Sequence, residues 1–119
     1  MNKKIKVLIL SLLNLDPGGI TTVIYNYLNA LDRKDLEISI VITDKMPKDL
    51  REEFSKFGSL VMMPERRKHI VSYIWVLNRF LSKNHFDVVH IHGNSSTMSL
   101  ETHIARYHGI KNIIVQGHS

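Results

Sequence analysis

The hydrophobic residues of this chain change period repeatedly along its length, and no other feature constrains its fold as strongly. Residues 5–12 form an apolar run of the kind a parallel strand needs when both of its faces are covered. Asp16-Pro17-Gly18-Gly19 breaks the run. From there Ile20, Val23, Ile24, Tyr27, Leu28 and Leu31 recur at i, i+3, i+4, i+7, i+8 and i+11, one stripe of a helix that should end near Asp32. Residues 38–43 are a second, β-branched run, and 47–57 predict a short helix with Leu50, Phe54 and Phe57 on one face and Gly58 as its stop. Residues 60–63 read as a third strand, halted by Pro64. Ile70, Ile74, Leu77 and Leu81 mark a third helix, with Trp75 and Phe80 expected to widen its buried face. Residues 87–92 predict a fourth strand, 95–107 a helix with a weak stripe ended by Gly109, and 112–116 a fifth strand.

Strand and helix thus alternate with short joints, the pattern of an α/β Rossmann-like, doubly wound parallel sheet. Right-handed crossovers give the expected strand order 3-2-1-4-5 with helices on both faces. At 119 residues the chain suffices for one domain with a real core. It stops at Ser119 straight after the fifth strand, so the expectation is a truncated domain whose last strand lacks a covering helix. The absence of cysteine excludes thiolate chemistry, Cys-ligated zinc and a disulfide scaffold, and fits a cytoplasmic protein.

Sixteen Lys and Arg against eleven Asp and Glu leave a formal charge of +5, which attracts phosphates, anionic headgroups or nucleic acid without choosing among them. The one dense basic cluster, Arg66-Arg67-Lys68-His69, is too short for a nucleic-acid tail and reads as a solvated helix entrance. Asn2-Lys3-Lys4 followed by the apolar residues 7–13 imitates the start of a signal peptide, but no small-residue cleavage site follows. No apolar run approaches the ~18 residues of a membrane span.

In an open parallel sheet, ligands bind beyond the carboxyl ends of the strands where strand order reverses, here between the first and fourth strands. Three loops meet there: Asp16-Pro17-Gly18-Gly19, His92-Gly93-Asn94-Ser95-Ser96 and Gly117-His118-Ser119. Gly18 and Gly19 precede the first helix, where bare backbone amides suit a phosphate or diphosphate, although two glycines equally make a tight turn. The pair lacks the spacing of Gly-x-Gly-x-x-Gly and has no P-loop Lys, which disfavours ordinary NAD enzymes and kinases. His90 and His92 share one face of the fourth strand, and with no matching carboxylate they read as packed residues rather than metal ligands. Glu101, His103 and His108 read as surface residues. His118 follows the fifth strand, where an imidazole can hydrogen-bond a hydroxyl-rich ligand or accept its proton.

Asp16-Pro17-Gly18-Gly19-Ile20, Phe86-Asp87-Val88-Val89-His90-Ile91-His92-Gly93 and Val115-Gln116-Gly117-His118-Ser119, taken together and in this order, resemble the acceptor-side domain of GT-B glycosyltransferases, in particular the retaining GT4 family. The resemblance runs over the whole chain. It implies sugar transfer from a nucleotide-diphosphate sugar to a saccharide or lipid-linked acceptor, as in cell-envelope polysaccharide synthesis, with two Rossmann-like domains closing over a cleft. It places Gly18 and Gly19 at the donor diphosphate and His118 at the transferring sugar as the catalytic residue. His92, Asn94, Ser95 and Ser119 fall to the substrate side. No metal and no resident cofactor are implied, because helix amino termini and basic side chains meet the leaving diphosphate in this fold. The donor-binding half, with its paired glutamates, would lie in a carboxy-terminal domain that these residues do not include, which implies that residues 1–119 are inactive alone. The basic balance implies peripheral contact with an anionic membrane at the cytoplasmic face.

Two other classes remain open at this level. A flavodoxin-like ligand-binding module matches the length, whereas a phosphoacceptor receiver misses two of its three positions, with Met63-Pro64-Glu65 and Gln116-Gly117-His118 where an Asp and a Lys belong. Nucleic-acid binding rests on charge alone, with no aromatic stacking platform or groove-reading basic helix, and is not expected.

Overall fold

The computed structural model of the chain describes residues 4–11, 19–93 and 98–117. Five parallel strands, β1 (Ile5–Ser11), β2 (Leu36–Ile42), β3 (Ser59–Met62), β4 (Val88–Gly93) and β5 (Asn112–Gly117), form one sheet in the order β3-β2-β1-β4-β5. Helices α1 (Gly19–Ala30), α2 (Lys48–Ser55), α3 (Ile70–Lys83) and α4 (Ser99–Tyr107) connect them. The architecture and strand order are those expected from the alternating periods, and element ends differ from the expected ones by a few residues, as hydrogen bonding at frayed ends allows.

The pleat divides the core in two. Leu8 and Leu10 point to the face covered by α3 and α4, where they join Val89, Ile91, Tyr73, Leu77 and Ala105. Ile9 points to the other face and packs with Ile24 and Leu28 of α1 and Phe54 of α2. Because β1 is central and buried on both faces, its apolar run has no alternation to show. The entry to β4 is tied to β1 by a reciprocal pair: the Lys6 amide donates to the Asp87 carboxylate at 2.9 Å, and the Asp87 amide donates to the Lys6 carbonyl at 2.8 Å.

Three expectations need correction. Trp75 does not widen the buried face of α3; it is 61% exposed, and the inward residues are Tyr73, Leu77 and Leu81. A hydrophobic count cannot tell which flank of a stripe turns to water, and Trp75 sits two positions from both Tyr73 and Leu77, on the opposite arc of the helix. Gly58 does not cap α2, whose C-cap is Lys56 in the right-handed region. Gly58 instead passes so close to β2 that a Cβ there would sit 2.0 Å from the Ile38 carbonyl oxygen. Glu101 is not at the surface; it is fully buried on the inner face of α4 between Met98 and Ala105. Gly109 does end α4 as expected. Its φ of 81° lets the Ile110 amide reach the Ala105 carbonyl and its own amide reach that of Arg106, the paired closure that turns Ile110 into the core.

Candidate functional site

The strands set the site by register. Ser11 at the end of β1 lies opposite His92 on β4, and His92 lies opposite Gln116 on β5, so the three carboxyl ends are level. At the ~4.8 Å spacing of neighbouring strands, the backbones of Ser11, His92 and Gln116 fit within about 10 Å. The loops leaving this edge are the three singled out from the sequence. Gly18, Asn94, Ser95, His118 and Ser119 themselves lie outside the described residues. Gly19 is the first residue of α1, a helix of 12 residues with no acid in its first turn. Its opening amides and the positive end of its dipole are therefore not countered by a carboxylate within that turn. Thr21 in the same turn is buried, a polar neighbour of the edge that the sequence pattern did not flag.

His92 and His90 both lie on the α1 face of β4, as their register with Ser11 and Ile9 requires. Both are buried, their rings stack with centroids 4.0 Å apart, and Tyr27 of α1 meets His90 edge-on at 5.4 Å. The pair packs as a polarizable layer beneath α1, so His92 can present its strand end to the crevice while its ring is held by its neighbours. Among the described residues no three His, Asp or Glu converge as metal ligands would.

On the other face, a polar cluster stands just behind the β4 loop. Glu101 accepts from Arg66 through Nε at 2.6 Å and Nη2 at 3.3 Å, and from the Tyr73 hydroxyl at 2.9 Å. Arg66 comes from the β3–α3 connection, Tyr73 from the first turn of α3 and Glu101 from the first turn of α4, so three segments at the carboxyl edge are pinned to one carboxylate. The fork of the guanidinium fixes direction as well as distance. The hydrogen bond to Glu101 keeps the Arg66 guanidinium charged, its pKa displaced further upward. Burial, and then the Glu101 charge, push the Tyr73 phenol far above the usual tyrosine range. Sequence reasoning missed this cluster. The available signal was that Glu101 occupies an inward position of the Met98–Ala105 period, where a lone carboxylate demands a cation.

The sign of the Tyr73 displacement gives a pH dependence. A group whose folded pKa exceeds its unfolded value stabilises fully below the unfolded pKa, and that contribution disappears as pH rises. The urea midpoint should therefore fall between about pH 9 and pH 11, across the unfolded tyrosine pKa of ~10. Tyr73→Phe should flatten that slope; an unchanged slope would mean that other groups cause it.

Beside the cluster, at the carboxyl ends of β2 and β3, a cleft of about 500 Å³ is lined by Asp44, Lys45, Met63, Glu65, Lys68 and His69. Charged and polar groups share its wall with Met62, Pro64 and Val76, so it offers a few hydrogen-bonding groups over a mainly apolar surface.

A level row of strand ends at a topological switch point, with a helix opened by glycine following the first of them, defines a Rossmann-like α/β domain. The model of Glycosyltransferase Family 4 matches residues 17–119, and the chain belongs to that family. No curated protein matches it. Among solved structures, the C-terminal domain of a hydrogenase from Pyrococcus furiosus aligns at a TM-score of 0.67 and 17% identity, covering 98% of this chain and 93% of that one. A second crystal structure of that domain aligns at 0.58 and 14% identity, with 98% and 94% covered. At such identities the likeness is one of fold.

Proposed function

We propose that this domain is the acceptor-side half of a retaining glycosyltransferase that moves a sugar from a nucleotide-diphosphate donor to a saccharide or lipid-linked acceptor of the cell envelope, working at the cytoplasmic face of the membrane. The observation that carries the reading is the family match over residues 17–119, which takes in Pro17-Gly18-Gly19 before α1 and the loops that follow β4 and β5. In the reaction, the bond between the sugar's anomeric carbon and the diphosphate oxygen breaks, and a bond to an acceptor hydroxyl forms in its place. Negative charge grows on the departing diphosphate, and the acceptor hydroxyl passes its proton to the diphosphate oxygen that leaves. Amides at Gly18 and Gly19, with the positive end of α1, meet the growing charge. His118 hydrogen-bonds the transferring sugar, while His92, Asn94, Ser95 and Ser119 line the acceptor side. The acceptor saccharide approaches along the cleft at Lys45 and His69. The donor's nucleotide is held by a second domain, so the domain described here binds without turning over by itself.

The natural gene product should transfer labelled sugar from one of a panel of nucleoside-diphosphate sugars. Gly19→Val should raise the donor KM about tenfold or more, because a side chain blocks backbone approach. His118→Ala should lower kcat by roughly a hundredfold or more. Transfer that ignores both substitutions would remove the site assignment, and failure with every donor would remove the function. Among the described residues no helix is long and apolar enough to cross a membrane. The net charge of +5 supports an anionic bilayer as the surface.

A further inference from the structure

The charge of this chain is not spread over it. Residues 66–86 contain five Lys and Arg and no Asp or Glu, while the remainder holds eleven of each, so the whole formal excess sits in the stretch that leads into and forms α3. In the fold this stretch joins α4 in one layer. The only acids in sequence from residue 66 onward are Asp87 and Glu101. Glu101 is buried and bonded to Arg66, and Asp87 sits at the opposite, amino edge of the sheet against Lys6. Apart from Glu65, half-buried in the cleft at its edge, the outer surface of the α3–α4 layer shows no acid among the described residues, while Arg67, Lys68, Arg79, Lys83 and Arg106 are exposed on it. The other layer differs: α2 alone carries Asp49, Glu52 and Glu53.

The same surface carries apolar groups with nothing over them. Val71 is 78% exposed, Trp75 61% and Tyr107 81%. Val71, Trp75 and Arg79 follow one another at i, i+4 and i+8, a single row along the outer side of α3. The Arg79 guanidinium lies 5.3 Å from the centre of the Trp75 ring. Trp and Tyr beside Lys and Arg, with a β-branched apolar residue between the charges, are the groups that settle at the boundary between headgroups and acyl chains.

We infer that the outer face of α3, centred on Val71, Trp75 and Arg79 and flanked by Arg67 and Lys68, is the surface by which this domain lies on an anionic phospholipid bilayer. The inference deepens the membrane contact proposed above and rests on that reading for its choice of anion. Charge complementarity selects the occupant. A second copy seated on this face would set one acid-free layer against another. A nucleic acid would need aromatics spaced as a stacking platform, and Trp75 and Tyr107 stand on separate helices. The placement also suits an acceptor held in the bilayer, since Lys68 and His69 border both this face and the cleft beside β3.

Trp75 is the only tryptophan of the chain, so its emission reports the contact directly. With vesicles of phosphatidylcholine containing about 30% phosphatidylglycerol, emission should move to shorter wavelength, and salt should reverse the shift. Vesicles of phosphatidylcholine alone should leave it unchanged. In co-sedimentation, Arg79→Ser should weaken binding about fivefold and the Arg67→Ser, Lys68→Ser pair about 25-fold, a factor of about five for each cation near the surface. These side chains are exposed, so thermal unfolding of the variants should match that of the parent. Equal binding to neutral and anionic vesicles would overturn the membrane reading itself. Anionic binding that leaves Trp75 emission and the Arg79 variant unaffected would spare that reading and overturn this surface. Binding of short oligonucleotides, or self-association lost in Trp75→Ser, would overturn the inference if vesicles do not bind.

Discussion

Arg66→Ala should cost about 3 kcal/mol of folding stability and lower Tm by roughly 10 °C. The reason is an asymmetry in the pair. Arg66 is partly exposed, whereas the Glu101 side chain has no contact with water. Removing the guanidinium leaves a carboxylate in the core with the Tyr73 hydroxyl still donating to it. Tyr73→Phe removes one hydrogen bond and should cost only about 1 kcal/mol. The triple change Arg66→Met, Tyr73→Phe, Glu101→Leu should recover most of the loss, because an apolar cluster of similar volume carries no stranded charge. Chemical denaturation of the four proteins measures all of this. A triple variant no more stable than Arg66→Ala would show that packing, and not the orphaned charge, sets the cost.

Gly58→Ala should be the other severe substitution, at about 3 kcal/mol, the upper end for added volume in a packed interior. The added Cβ would meet the Ile38 carbonyl oxygen at 2.0 Å and its carbon at 2.8 Å, and neither is a side chain that can swing away. Relief requires the start of β3 to move off the start of β2. Gly109→Ala makes the useful contrast, since no atom lies within 4 Å of its added Cβ and only the positive φ of 81° resists it. That should cost about 1 to 2 kcal/mol. Urea midpoints for the two variants should therefore rank Gly58→Ala well below Gly109→Ala, and the reverse order would mean that β2 and β3 part easily.

The order of elements was legible because the strands are short, mostly apolar runs and the first three helices are stripes, so the period itself changes along the chain. Strand order followed from handedness rather than from any residue. The level ends of β1, β4 and β5 were legible too, since they are where topology puts a switch point. Trp75 was misplaced because its hydrophobicity was counted without its angle on the helix. Glu101 was missed for a deeper reason: its partners lie 35 and 28 residues away in sequence, and no local pattern announces a bond at that range. Gly58 carried a glycine's usual stop signal, while its actual role, room for a neighbouring carbonyl, exists only once β2 is beside it.

The middle position of β1 has a consequence for how the chain is made. The central strand emerges first, yet the partner that closes one of its edges follows far behind, as the 81-residue separation of Lys6 and Asp87 shows. At roughly 5 to 20 residues per second, a ribosome takes about 4 to 16 s to cover that distance. Until then Leu8, Ile9 and Leu10 have β2 on one side and an unsatisfied edge on the other. The nascent chain therefore passes through a period as a half-sheet, when it is most open to mispairing and to capture by a chaperone.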